Sequence, residues 1–158
     1  MDGAVERLHA TAIAVGSRAV VIRGPSGSGK SDLAFRCLAL PTSALLTSPA
    51  KLVSDDQVLL TRNGLSLAVT APQTLLGKLE VRGLGILEVD PELDAKAVLI
   101  ADIVEPRDME RYPDPWPTAN LLGLAVPLIR VVAFDSSAPL KLLAALAMPS
   151  LPLVCEHD

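Results

Sequence analysis

Gly24-Pro25-Ser26-Gly27-Ser28-Gly29-Lys30-Ser31 spells the pattern G-x-x-x-x-G-K-[ST] of a phosphate-binding loop. Such a loop needs glycines that let the backbone wrap closely around anionic oxygens, amide N–H groups converging at a helix N-terminus, and a lysine that reaches the outer phosphates. All three are present, and Ser31 adds a hydroxyl suited to a Mg²⁺ ion bridging terminal phosphates. The flanks supply the required context. Ala19-Val20-Val21-Ile22-Arg23 is a β-branched run expected to form a buried strand, and Asp32 to Leu40 carries apolar residues at helical spacing. Strand, glycine loop and helix together predict an α/β nucleotide-binding domain.

Before the loop, His9 to Val15 alternates and ends at Gly16-Ser17, the pattern of a hairpin leading into the loop strand. After it, Pro41 ends the helix near Leu40, and Thr42 to Ala50 reads as a surface connection. Lys51 to Asp56 has the form of a short strand ending in two acids. Gln57 to Arg62 and Leu65 to Val69 flank Asn63-Gly64, a hairpin turn in which both central residues take positive φ. Pro72 opens a helical turn limited by Gly77 and Gly83. Ala97 to Val104 is expected to be a buried strand, the proline-rich Pro106 to Pro117 a loop, Leu128 to Phe134 a strand, and Ala138 to Met148 a helix with Pro139 in its first turn.

The 158 residues suffice for one domain and one core, which must be aliphatic, because 50% of residues are hydrophobic and only 3% aromatic. No apolar run approaches the roughly 20 residues of a membrane span, since Leu140 to Met148 is broken by Lys141. The N-terminus, with Asp2 and Glu6 and no basic cluster, does not read as a secretory signal. These features predict a cytoplasmic protein. A net charge of −4 without a basic stripe argues against nucleic acid as a partner. Cys37 and Cys155 have neither metal-ligand nor redox spacing and read as reduced thiols.

What such a loop does with nucleotide depends on the charged residues around it. Asp55-Asp56 is the strongest pair, since one carboxylate can hold Mg²⁺ while another accepts the proton of an attacking hydroxyl. Its rival is Asp102, which follows the more regular apolar run Ala97 to Ala101, and pattern alone does not choose between them. Glu80 and Arg82, two apart on an extended segment, would face one way as a metal-ligand carboxylate beside a charge-stabilising cation. A surface ion pair has the same spacing.

His9, the loop from Gly24 through Ser31 to Asp32, Leu52-Val53-Ser54-Asp55-Asp56-Gln57-Val58 and Leu79-Glu80-Val81-Arg82-Gly83-Leu84-Gly85-Ile86 together resemble the signatures of bacterial HPr kinase/phosphorylase. The resemblance runs from about His9 to Met148. It implies a P-loop nucleotide-binding domain of HPr kinase/phosphoenolpyruvate carboxykinase-like type, a mixed sheet with flanking helices. It further implies an ATP- and Mg²⁺-dependent protein serine kinase acting on an HPr-like phosphocarrier of the phosphotransferase system. By the same resemblance Asp56 is the base, Asp55 its supporting acid, Ser31 and Glu80 the Mg²⁺ ligands and Lys30 the phosphate contact. His9 matches the family's active-site histidine, and Arg111 stands at the spacing of a catalytic arginine in different surroundings.

The family's N-terminal domain has no counterpart in residues 1–158, so the chain looks like the short form, catalytic domain only, found in alphaproteobacteria. Val132-Ala133-Phe134-Asp135-Ser136-Ser137 stands where bifunctional members carry an arginine-rich loop tied to phosphorolysis, which implies weak or absent phosphorylase activity. A homo-oligomer is expected, of unspecified size. Two other readings stay open at this point: a small-molecule P-loop kinase, and a nucleotide-sensing module without turnover.

Overall fold

The computed structural model describes residues 3–148; Cys155 lies outside them. In chain order, β1 (Val5–Leu8), β2 (Thr11–Val15) and β3 (Arg18–Arg23) precede the glycine loop, and α1 (Lys30–Ala39) leaves it. Then follow β4 (Ala50–Ser54), β5 (Val58–Asn63), β6 (Ser66–Thr70), β7 (Lys78–Val81), β8 (Gly85–Glu88) and β9 (Ala95–Ile103). The chain closes with β10 (Thr118–Leu121), β11 (Leu124–Val131) and α2 (Ala138–Ala147).

Nine strands form one mixed sheet in the order β1-β5-β6-β9-β3-β2-β4, with β11 also on β9 and β10 on β11, while β7 and β8 form a separate hairpin. β3, β9 and β11 run parallel and side by side. The segments leaving their C-terminal ends, the glycine loop and residues 132–137 among them, therefore share one edge, where ligands of parallel sheets bind. β9 is the branch point. Its first residues, Ala95 and Lys96, pair with β6, whereas Ile100 to Ile103 pair with β11, and β3 runs along nearly its whole length.

Period-two alternation sorts the strand residues onto two faces. Ile13, Val20 and Ile22 face the helices, where Leu33, Ala34 and Cys37 of α1 and Leu142 and Leu146 of α2 cover them. Ala12, Ala14, Ala19 and Val21 face the other way and meet Leu60, Leu67 and Val69 of the curled β5 and β6. Alanines on that face let the sheet fold back on itself closely. Both helices thus lie on one face and pack on each other, while the sheet's own far half covers the other.

The turn after Pro72 (Gln73–Leu75) and α2 with Pro139 at its start stand where the sequence puts them. The β5–β6 hairpin forms as well, but one residue later than expected: Asn63 pairs with Ser66 at the end of β5, and the turn is Gly64-Leu65. Gly64 alone takes positive φ, +63°, and supplies the left-handed backbone that the expectation assigned to both Asn63 and Gly64. α1 begins at Lys30 and ends at Ala39. β1, β7, β8 and β10 are additions. β11 starts at Leu124, four residues before the expected Leu128, and ends before Phe134. Pro127 is tolerated within it because pairing with β9 begins only at Leu128.

Candidate active site

The loop leaves β3 at Gly24 and becomes α1 at Lys30. Gly29, the residue before the helix, has φ +102° and receives the amide N–H of Leu33 at 2.9 Å. Only glycine suits this backbone, and a Cβ there would also lie 2.9 Å from the Phe134 ring. Lys30 is 7% exposed, and its ammonium donates to the carbonyls of Gly24 at 2.6 Å and Pro25 at 3.1 Å. Burial lowers its pKa, opposed by the negative charges of Asp56 and Asp55. Within the loop the Ser28 hydroxyl is buried without a partner.

Asp55 and Asp56 leave β4 in different directions. Asp55 is buried, and one carboxylate oxygen accepts from the Ser31 hydroxyl at 2.6 Å and the Thr11 hydroxyl at 3.0 Å. Its other oxygen accepts from the Glu80 amide at 3.0 Å. One carboxylate therefore ties the start of α1, β2 and β7 together. Asp56 turns outward with φ +69°, half exposed, and its Oδ1 lies 3.4 Å from His9 Nδ1. The other His9 ring nitrogen is 3.5 Å from Ser26 Oγ.

A cavity of about 570 Å³ gathers His9, Ser26, Lys30, Ser31 and Asp56 on its walls. Gly27, Gly29 and Asp32 of the loop and helix, with Glu80 and Arg82 of the β7–β8 hairpin, complete them. Gly24, Pro25 and Ser28 do not line it, and Asp55 sits behind it as the tie just described. Arg82 lies past the end of β7, in the turn that Gly83 at φ +90° and Gly85 at φ +112° allow. Glu80 and Arg82 reach one cavity by way of a hairpin turn rather than by strand alternation.

Two residues singled out in the sequence lie elsewhere. Asp102 accepts a two-pronged contact from Arg23, at 2.7 and 2.9 Å, and is absent from the cavity. That contact raises the Arg23 pKa. Arg111 lines a second cavity, with Trp116 and Lys141. Conversely, Thr11 and Phe35 line the first cavity without having been singled out, and Leu84 and Phe134, named only within longer stretches, line it too. Thr11 carried one weak signal, a hydroxyl in the otherwise apolar run Ala10 to Val15. α1 also grips the segment bearing Phe134: Arg36 donates to the carbonyls of Ala133 and Asp135 and pairs with Asp32 at 2.9 Å.

Among solved structures, the Hpr(Ser) kinase/phosphatase from Coxiella burnetii superposes with a TM-score of 0.69, covering 87% of this chain and 91% of that one at 24% sequence identity. It shares the fold. The HPr kinase/phosphorylase of Chlorobium phaeobacteroides strain BS1 is 28% identical over 137 residues, 80% of this chain and 38% of the relative. That of Limosilactobacillus reuteri DSM 20016 is also 28% identical, over 135 residues, 78% of this chain and 40% of the relative. The chain thus spans about two-fifths of the length of these curated relatives. Residues 3–135 match the family described as HPr Serine kinase C-terminal domain, and the chain belongs to that family.

Proposed function

We propose that this domain is an ATP- and Mg²⁺-dependent protein serine kinase, acting in the cytoplasm on an HPr-like phosphocarrier of the phosphotransferase system. The observation that carries the reading is the division of labour between neighbouring acids. Asp55 is buried and saturated by the Ser31 hydroxyl, the Thr11 hydroxyl and the Glu80 amide, while Asp56 faces the cavity beside His9.

The loop amides and Lys30 would hold the terminal phosphates, Lys30 exchanging the Gly24 and Pro25 carbonyls for phosphate oxygens. Ser31 and Glu80 fit a magnesium ion. The Ser31 proton is directed at Asp55, so the lone pairs of its oxygen are free to ligate, and Glu80 has no cationic partner among the described residues. No cluster of three or more metal-binding side chains occurs among the described residues, so the ion would share its shell with phosphate oxygens and water, as magnesium commonly does. When bound, it neutralises charge on the phosphoryl group. Asp56 would orient the substrate serine and take its proton, His9 would hold the Asp56 carboxylate in place, and Arg82 would stabilise charge on the transferred group.

The test is purified chain with ATP, Mg²⁺ and HPr, with the modified residue mapped. Phosphoserine on HPr supports the reading, and nucleotide binding without transfer rejects it. The reverse reaction should be weak, because the exposed Asp135 and Ser136 offer no cation to hold phosphate beside a phosphoserine, and Arg36 is engaged with backbone carbonyls and Asp32. Serine-phosphorylated HPr incubated with inorganic phosphate should release little pyrophosphate. Rapid release would overturn that part. Self-association, expected from the resemblance, is testable by sedimentation.

A further inference from the structure

Away from the glycine loop, a second cavity of about 560 Å³ opens between β11, α2 and the segment from Met109 to Pro117. Its volume falls in the range of small-molecule sites. The walls are apolar, with Trp116, Leu128, Val131 and Ala145 among them, and Tyr112 stands 69% exposed at the lining. Three cations, Arg111, Arg130 and Lys141, share this lining with one carboxylate, Glu110. Glu110 pairs with Arg130 at 3.5 Å. Arg111 and Lys141 have no acidic partner among the described residues.

An apolar cavity holding two uncompensated cations is complementary to a ligand with an apolar body and an anionic head. We propose that it binds a small amphipathic carboxylate, its hydrocarbon part against Trp116 and Leu128 and its head at Lys141 and Arg111. The position gives the ligand a route to the nucleotide site. Val131 lines this cavity, and two residues later Ala133 and Phe134 stand against Gly29, held by Arg36 of α1. A ligand here would bias the segment that walls the phosphate loop, and by linkage a nucleotide would alter the ligand's affinity in return.

Trp116 is the only tryptophan of the chain and lines this cavity, so its emission follows probe binding, and the cavity variants and the MgADP competition assign that binding to this cavity. The experiment titrates the full chain with 1-anilinonaphthalene-8-sulfonate, an aromatic sulfonate whose absorption overlaps tryptophan emission, and then competes it with octanoate or neutral octanol. Quenching should saturate at one probe per chain and be reversed by octanoate far better than by octanol. Saturating MgADP should shift the affinity without abolishing binding. Lys141→Glu, at an exposed position, should weaken binding about tenfold through loss of a charge-assisted contact. Ala144→Phe, which fills the cavity, should remove it.

Several results overturn the proposal: quenching that never saturates, indifference to Lys141→Glu, octanol competing as well as octanoate, or full displacement by MgADP. So does a Trp116 that is shielded and unquenched from the outset, because the cavity would then be closed by protein. None of these readouts depends on phosphoryl transfer, so failure here and failure of the kinase reading are distinguishable.

Discussion

Asp55 and Asp56 are adjacent in sequence yet 4% exposed in one case and 56% at the side chain in the other. Their substitutions should therefore fail in opposite ways. Asp55→Ala strands two hydroxyls and an amide that share its carboxylate, which should cost about 3 kcal/mol and appear as a drop in melting temperature. Asp56→Asn leaves these contacts alone, and asparagine accepts positive φ. It should melt like wild type and bind ADP normally, yet transfer phosphate 10²- to 10⁴-fold more slowly, roughly the range for loss of a general base. Near-normal transfer would remove Asp56 from that role. Cys37, buried under α2, has its thiol pKa pushed up to about 12 by burial. The folded state thus keeps a proton that the unfolded thiol releases above about pH 9, so stability is full below that pH and falls as pH rises toward 12. Denaturant midpoints measured in a Cys155→Ser chain should decline over that window, and a flat profile would contradict the burial. Pattern alone marked the paired acids but could not rank them against Asp102; only the family resemblance favoured Asp55-Asp56. The partner that claims Asp102, Arg23, is 79 residues away, and nothing local announces it.

At the scale of elements, the strand, glycine loop and helix were legible because their requirements are local: β-branched residues, glycines at positive φ, and apolar spacing. The β7–β8 hairpin was not. Its turn places Arg82, Gly83 and Leu84 between Val81 and Gly85, and the glycines read as interruptions rather than as the turn that brings Glu80 and Arg82 to one cavity. β1 and β10 are four-residue strands at sheet margins, too short to carry an alternation signal. Arg111 followed a spacing argument that the fold does not use for the first cavity. The junction of loop and α1 gives a sharp test. Gly29→Ala would force a left-handed alanine and press its Cβ to 2.9 Å from Phe134 and 3.2 Å from Ala133. A loss of about 1–2 kcal/mol in stability is expected. MgADP affinity should fall with it, measured by calorimetry. An unchanged affinity would mean the segment from Ala133 does not wall the nucleotide site.

For the whole molecule, the aliphatic core anticipated from composition divides into two: helices cover one face of the sheet, and its curled half covers the other. Composition could announce the chemistry of this core but not its division, which depends on long-range pairing along β9. Leu142, fully buried on α2, belongs to the helix-covered half, and Leu142→Ala should cost about 3–5 kcal/mol. A single cooperative melt at lower temperature is expected; two separate transitions would mean that the halves are independent. β9 also sets the order in which the molecule can be completed. The glycine loop is fully synthesised by residue 31, but the parallel neighbour of its strand ends only at residue 103. On the ribosome the nucleotide site is thus begun well before it can be finished, and from residue 31 until residue 103 has emerged β3 waits with one edge open.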